Sequence, residues 1–192
     1  MKSLKSLLAI LAMTTIMSFT VKDVVYKIDS EKSKLTWIGK KVTGQHTGGI
    51  NLAEGNLNVN SNKVTGGSFS IDMTSITDID KNERLVSHLK SDDFFSTEKN
   101  PKANFVITQI IGNKDQYTVK GNLSIKGITN EVEFPATIQI GPKEITAKAK
   151  ILVDRTKFDI KYRSGNFFEN LGDKVIEDNF ELNVELVAIL GV

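Results

Sequence analysis

Apolar and polar residues alternate along most of this chain, which is the pattern of β-strands that bury one face. The alternation is clearest near the end of the chain, where Phe180, Leu182 and Val184 share one face and Glu181 and Asn183 the other. The two-residue period recurs over residues 24–29, 35–42, 48–60, 64–76, 104–110, 117–125, 132–140, 145–153 and 180–188.

These segments predict about eight strands, joined mostly by short turns, and short turns join antiparallel neighbours. One apolar face per strand indicates a sheet with one dry side. A sheet of this size tends to curl, and its closure removes the exposed edges. We therefore predict an all-β fold, an eight-stranded antiparallel barrel whose interior is filled by side chains or holds one small ligand. A two-sheet β-sandwich is the alternative.

The first interruption of the strand pattern covers residues 80–95 and predicts a short helical insertion. Asp80 followed by Glu83 fits a helix N-cap and its capping-box partner. Leu85, Val86 and Leu89 then form an apolar stripe on one helix face. We expect this insertion to cover one end of the barrel.

The insertion ends in His-Leu-Lys-Ser-Asp-Asp-Phe-Phe, where two acids directly precede Phe94 and Phe95. Catalytic carboxylates must flank one substrate bond, whereas the side chains of Asp92 and Asp93 diverge because the residues are adjacent. Capping of the following turn is the preferred interpretation of the two acids. The phenylalanines are predicted to lie on the apolar side of the insertion.

A second interruption covers residues 163–178, a long loop with an unusually apolar composition that includes Phe167, Phe168 and Leu171. Long loops on compact domains are often functional.

The beginning of the chain has the pattern of a secretory signal peptide. Lys2 and Lys5 precede an apolar run at 7–16, and Ser18 and Thr20 are small residues before a possible cleavage site. The run is too short and too rich in Thr and Ser to be favoured as an uncleaved anchor. We expect residues 1–20 to be removed on export, which leaves a periplasmic or secreted protein without stable membrane insertion.

Charge and composition narrow the function classes. The chain of 192 residues has 25 Lys and Arg against 23 Asp and Glu. The segment 1–20 holds two of the lysines and no acid, so the remainder carries no net charge, and nucleic acid is not an expected partner. The absence of cysteine excludes disulfides and thiolate chemistry. Residues 21–192 are expected to form one domain.

Metal chemistry finds little support in the sequence. Asp78, Asp80 and Asn82 have the spacing that opens an EF-hand loop, but Glu83 and Leu89 stand where that loop needs glycine and glutamate. A turn leading into a capped helix is favoured instead, and no metal or cofactor is predicted.

The chain has two histidines, His46 and His88, too few for a zinc site made of histidine alone. A polar residue at a loop or cavity rim is the favoured interpretation of His46, which lies in a probable loop.

Several motifs, taken in order, make the chain resemble the YceI-like family of lipid- or polyisoprenoid-binding proteins of the bacterial periplasm. They occupy residues 71–76, 88–95, 100–105, 121–129, 154–160 and 176–178. The resemblance implies a lipocalin-like, extended eight-stranded barrel whose long apolar cavity takes an isoprenoid or acyl chain, with the head group near the mouth. It transfers no catalytic residue and no ligand identity.

The leading hypothesis is a non-catalytic, exported binding and carrier protein for a polyisoprenoid or fatty-acid derivative. Burial of each methylene contributes about 0.8 kcal/mol, so a long chain binds with few polar contacts. Small residues such as Ala147 and Ala149 leave volume inside the barrel. The predicted ligand-binding residues are Trp37, Phe69, Ile71, Leu89, Phe94, Phe95, Phe105, Ile107, Val119, Leu123, Phe134, Ile138, Ala149, Ile151, Phe158, Phe167, Phe168, Leu182 and Val184.

Four residues are candidates for contact with a head group: Arg84, His88, Arg155 and Arg163. Two alternatives stay open: an enzyme that acts on a bound lipid, with His46, His88, Asp92 and Arg84 as candidates, and a filled barrel that serves as a structural or interaction module of the envelope. A homodimer is plausible if an edge strand stays open.

Overall fold

The computed structural model describes residues 23–191, so the predicted signal peptide lies outside the described part of the chain. No helix within residues 23–191 is long and apolar enough to cross a membrane. The strands are β1 (Val24–Ile28), β2 (Lys34–Lys41), β3 (Gly44–Asn60), β4 (Lys63–Asp72), β5 (Lys102–Asn113), β6 (Gln116–Ile125), β7 (Ile128–Ile140), β8 (Glu144–Asp154) and β9 (Ile176–Leu190), with one α-helix, α1 (Glu83–Lys90), between β4 and β5. Short 3-10 helices span Met73–Ser75, Arg155–Phe158 and Gly172–Lys174.

The strands form a closed antiparallel barrel, as predicted, and not a sandwich. The order around the wall is β2, β9, β8, β7, β6, β5, β4, β3 and again β2. Every neighbouring pair from β3 to β9 is consecutive in the sequence. Tight turns join four of these pairs, as expected for antiparallel neighbours, whereas long segments connect β4 to β5 and β8 to β9.

Strands β1 and β2 occupy one position of the wall, one after the other. Strand β2 pairs with residues 44–50 at the beginning of β3, and β1 pairs with residues 56–59 near its end. Both also pair with β9, which is 15 residues long. Nine strands therefore fill eight positions, and β1 and β2 each have a neighbour on both sides. The open edge strand on which a homodimer was predicted is not found within residues 23–191, and the dimer stays a prediction without structural support.

The barrel end that contains β1 is closed by packed side chains. The Tyr26 hydroxyl donates hydrogen bonds to the carbonyl oxygens of Gly141 at 3.1 Å and Pro142 at 3.4 Å, in the turn between β7 and β8. Ile145 and Ala188 are fully buried opposite each other on β8 and β9. Apolar side chains thus fill the interior at this end.

The opposite end is covered by two segments, which we call the lid segment (residues 73–101) and the second loop (residues 155–175). Strand β4 was predicted to continue to Ile76, but it ends at Asp72. The Asp72 carboxylate accepts hydrogen bonds from the backbone N–H and the hydroxyl of Thr74, at 2.9 and 2.6 Å. Such local side-chain bonds favour a turn over a strand, so the chain turns into the 3-10 helix Met73–Ser75.

The N-cap of α1 is Asn82, so the assignment of that role to Asp80 was wrong. The Asn82 side-chain oxygen accepts the backbone N–H of Leu85 at 3.0 Å. The cause lies upstream, where the buried Asp78 carboxylate accepts the N–H groups of Asp80 and Asn82 at 3.1 Å. These bonds hold the chain in a turn that includes Lys81 in a left-handed conformation, and the helix begins only after it.

Candidate functional site

Two adjoining apolar chambers lie inside the barrel. The lid chamber, of about 120 Å³, lies beneath the lid segment, and the central chamber, of about 110 Å³, lies deeper between the strands. Five residues border both chambers: Leu35, Ile71, Leu123, Val153 and Leu182. These shared apolar side chains place the two chambers next to each other inside the barrel.

The wall of the central chamber consists almost entirely of apolar side chains from β2 to β9. Phe69, Phe105 and Phe134 form a row of aromatic rings, with centroids 6.2 Å apart for the first pair and 5.6 Å for the second. Ala147 and Ala149 face them from β8. An interior that combines bulky rings with small residues leaves space that a uniformly filled core would occupy.

The lid segment provides the roof of the lid chamber. Leu89 comes from the last turn of α1, and Phe94 and Phe95 follow it in the next turn. The Phe95 ring meets Phe180 of β9 edge to face at 6.4 Å. The insertion therefore covers one end of the barrel, and both phenylalanines face the cavity.

Most of the residues predicted to bind ligand lie in the wall of one chamber or both. In the lid chamber these are Trp37, Ile71, Leu89, Phe94, Phe95, Leu123 and Leu182. In the central chamber they are Phe69, Ile71, Phe105, Ile107, Val119, Leu123, Phe134, Ile138, Ala149, Ile151, Leu182 and Val184.

Three predicted residues lie elsewhere. Phe158 is fully buried but borders neither chamber. The placement of Phe167 and Phe168 in the cavity was wrong, since each is 50% exposed in the second loop. The Phe167 ring lies 5.1 Å from the Lys161 ammonium on the outer surface. A loop has no alternating faces, so composition alone did not fix the direction of these rings.

Two further residues of β7 line the central chamber and follow the same alternation. Val132 and Ala136 share a face of β7 with Phe134 and Ile138, and both line the central chamber. The two-residue period that selected Phe134 therefore selects Val132 and Ala136 as well.

Of the four head-group candidates, Arg155 alone borders a chamber. Arg84 is exposed on α1, and Arg163 is exposed over the Tyr162 ring at 5.1 Å. His88 packs against the rings of Phe94 and Tyr162, with centroids at 5.0 and 4.6 Å, and those two rings also contact each other.

The Arg155 guanidinium is buried and binds three backbone carbonyl oxygens. It donates to Glu177 at 3.0 Å, to Ile160 at 2.7 Å and to Ile176 at 2.9 Å. Burial lowers the pKa of Arg155, while the carboxylates of Asp178 and Asp154 act in the opposite direction. The side chain joins the second loop to the start of β9 while it borders the lid chamber.

The loop that precedes α1 is fixed to β2 and β3 by close backbone packing at Thr77. The indole N–H of Trp37 donates to the Thr77 carbonyl at 3.0 Å, and the Thr77 N–H donates to Gly49 at 3.0 Å. Gly48 lies directly beneath, where a β-carbon would be 1.8 Å from the Thr77 oxygen. The lid segment therefore reaches the barrel only because residue 48 has no side chain.

The two histidines do not meet. His46 Nδ1 lies 4.0 Å from Asp78 Oδ1, and neither atom has a hydrogen-bond partner within the described residues. His88 Nε2 lies 3.5 Å from Asp93 Oδ2. No group of three or more His, Asp or Glu side chains within residues 23–191 is arranged to hold a metal ion.

Asp92 stabilises the turn of the lid segment through side chains, and not as the backbone cap that the sequence predicted. Its carboxylate accepts hydrogen bonds from Lys99 Nζ at 2.6 Å and from the Ser96 hydroxyl. These bonds, that of Lys99 first, hold the pKa of the Asp92 carboxyl below its usual range.

We expect NMR titration to place the Asp92 pKa below the ordinary value of about 3.9 for aspartate, and Lys99→Met to raise it. The stabilisation is complete above the unfolded-state pKa and is lost as pH falls through the lowered folded-state pKa. Lys102→Met, which removes a lysine paired with Glu54, is the control and should leave the Asp92 titration unchanged. An unchanged Asp92 midpoint in Lys99→Met would contradict the assignment.

The comparisons with known proteins agree with this architecture. Residues 26–188 match the family model of the YceI-like domain. A UPF0312 protein of Photorhabdus laumondii is 31% identical over 98 residues, which cover 51% of this chain and 50% of that protein. A UPF0312 protein of Pseudomonas aeruginosa is 34% identical over 91 residues, which cover 47% of this chain and 44% of that protein. The chain spans about half the length of these curated relatives.

Two solved structures share the fold. BcnA of Burkholderia cenocepacia superposes with a TM-score of 0.70 at 22% identity, over 84% of this chain and 99% of that one. A polyisoprenoid binding domain of Saccharophagus degradans, implicated in plant cell wall breakdown, gives a TM-score of 0.65 at 13% identity, over 88% of this chain and 99% of that one. Identities this low relate the folds alone.

Proposed function

Because the chain belongs to the YceI-like family, we propose that it is a non-catalytic binding and carrier protein for a long apolar molecule, a polyisoprenoid or a fatty-acid derivative. The observation that carries the proposal is the pair of adjoining apolar chambers along the barrel axis. The likeness in fold to a polyisoprenoid binding domain supports the ligand class. Residues 1–20 support export to the periplasm or beyond through their signal-like sequence.

The size of the chambers favours a slender ligand. Each is smaller than the roughly 300–1,000 Å³ of a typical ligand pocket, so a long ligand must occupy both. The side chains between them, such as Leu123 and Leu182, must then turn aside. Ten buried methylenes contribute about 8 kcal/mol before the costs of ordering, enough to offset such a rearrangement.

The position of the polar candidates favours binding over catalysis. His46, His88, Asp92 and Arg84 border neither chamber, so none of them lies beside the space proposed for the lipid. An enzyme that acts on the bound chain needs its acid or base within hydrogen-bond reach of the reacting atom.

Extraction of the purified protein with organic solvent, followed by mass spectrometry, tests the proposal. We expect an isoprenoid or acyl lipid to be released. The carrier function is ruled out if repeated preparations release none and added isoprenoids and fatty acids do not bind. In that case the filled structural barrel is the better description.

Trp37 provides a direct optical test, because it is the single tryptophan and borders the lid chamber. We expect 9,10-dibromooctadecan-1-ol to quench its emission, since bromine quenches a nearby indole and the chain of this alcohol is proposed to lie along the cavity that Trp37 borders.

Filling the central chamber should abolish most of this binding. Ala149 borders the chamber, and Ala149→Phe places a ring in the space proposed for the ligand. We expect the dissociation constant of the brominated alcohol to rise at least tenfold, measured by Trp37 quenching. Gln139→Phe puts the same ring on the exposed face of β7 and should bind as the parent protein does. Equal affinities of all three proteins would place the lipid outside the central chamber.

A further inference from the structure

The lid chamber has a mostly apolar wall in which Arg155 is a buried cation and Glu177 an acid. Arg155 is 3% exposed, and its guanidinium carbon lies 6.0 Å from the centre of the Phe94 ring, which borders the same chamber. A charged group in such surroundings must be satisfied by hydrogen bonds. Which guanidinium N–H groups already have an acceptor therefore determines which ligand group can bind at this end of the cavity.

Four of the five guanidinium N–H groups of Arg155 have an acceptor in the protein. Three donate to backbone carbonyl oxygens, as described above, and Nη2 also approaches Asp178 Oδ1 at 3.5 Å. A guanidinium has five N–H donors. The second N–H of Nη1 has no protein partner within residues 23–191, so it is the one donor left for a bound molecule.

Negative charge already surrounds this cation. Asp178 is its closest carboxylate, Asp154 is near enough to act on its pKa, and Glu177 borders the lid chamber beside it. The Lys40 ammonium interacts electrostatically with Glu177, but its ion pair is with Glu181, at 2.8 Å. A phosphate or diphosphate would bring further negative charge to three carboxylates and would find a single free donor. A neutral oxygen needs no more than that donor.

From this geometry we infer that Arg155 anchors an uncharged oxygen end of the ligand, a hydroxyl or carbonyl, in the lid chamber, while the apolar tail extends into the central chamber. The inference rests on the proposed function, and it adds the ligand's orientation and the chemistry of its polar end. The ligand lies with its polar end beneath Phe94 and its tail among the rings of Phe69, Phe105 and Phe134.

A ligand series tests the inference without altering Arg155, whose replacement endangers the fold. Dodecan-1-ol, dodecane and dodecyl phosphate share one chain and differ at one end. Each displaces 9,10-dibromooctadecan-1-ol from the parent protein, and the recovery of Trp37 emission measures its affinity. We expect dodecan-1-ol to bind at least tenfold more tightly than dodecane and dodecyl phosphate.

The other outcomes are distinct. Equal affinities for dodecane and dodecan-1-ol overturn the anchoring role of Arg155 but leave the carrier function standing. Tighter binding of dodecyl phosphate replaces the neutral-oxygen site with an anion site. If the brominated alcohol itself does not quench Trp37 and no lipid is bound, the carrier function and this inference fall together.

A second readout reports on Arg155 itself. Its Nε–H signal in a nitrogen-proton NMR spectrum is assigned in the parent protein by correlation with the Arg155 backbone signals. We expect this signal to shift when dodecan-1-ol is added and to move much less with dodecane. An identical response to both ligands would show that the polar end lies elsewhere.

Discussion

Gly48→Ala is expected to lower the free energy of unfolding by about 3 kcal/mol, as measured by urea denaturation. The new β-carbon would lie 1.8 Å from the carbonyl oxygen and 2.7 Å from the carbonyl carbon of Thr77, and 2.8 Å from the Trp37 ring. Two of these three atoms are backbone, so no side-chain rotation relieves the overlap. The loop before α1 must move away, and the Trp37 N–H then loses its buried acceptor.

Gly66→Ala is the matched control for this substitution. Gly66 also lies in a strand, and a β-carbon there would meet only the Asn58 side chain, at the ordinary distance of 3.8 Å. We expect a change within about 0.5 kcal/mol. A Gly48→Ala protein as stable as the Gly66→Ala protein would mean that the loop at Thr77 is not seated on β3 as described.

Arg155→Met is expected to cost about 3–5 kcal/mol of unfolding free energy, because methionine fills similar space but donates no hydrogen bond. The carbonyl oxygens of Ile160, Ile176 and Glu177 each lose a donor. Asp178 also loses its nearby cation. Within residues 23–191, the second loop then keeps only the bonds of Arg163 and Asn166 to the start of β9, and chemical denaturation measures the loss.

Arg84→Met makes the same chemical change on the exposed surface of α1 and should alter stability by less than about 0.5 kcal/mol. Similar losses in the two variants would refute a structural role for the buried guanidinium. If Arg155→Met keeps its stability, it becomes a usable protein for the ligand series as well.

The alternation of side chains predicted the barrel wall closely, because each strand has a dry face that its neighbours define. Strand β8 was predicted over residues 145–153 and spans Glu144–Asp154. Ala149, Phe134 and Val184 were assigned to the cavity from alternation, and the structure places them there. Periodicity was sufficient for these residues because a strand offers only two directions.

Outside the sheet, side chains do not alternate between two faces, so periodicity does not predict their direction. Phe167 and Phe168 were assigned by composition, yet they lie on the outer surface. The N-cap was placed at Asp80 by a sequence pattern, while the buried Asp78 shifted it to Asn82. Tertiary contacts decided both cases, and no local pattern encodes them.

The shared position of β1 and β2 was equally hidden, since each strand looks ordinary by itself. A hint lies in β3, whose 17 residues are long enough to pair with both in succession. The burial of Arg155 could not be predicted from the sequence, because an arginine is usually a solvated surface residue.

The way in which the wall closes bears on how the protein folds. From β3 to β9 each strand pairs with the next, and most of these pairs are local hairpins. Closure then requires β9 to reach strands near the beginning of the chain, as when Ser33 bonds the backbone of Val187, 154 residues away. Contacts of such long sequence separation form slowly. We therefore expect the barrel to close late in folding, and under the proposed carrier function a lipid present at that moment would be enclosed as β9 pairs with β2.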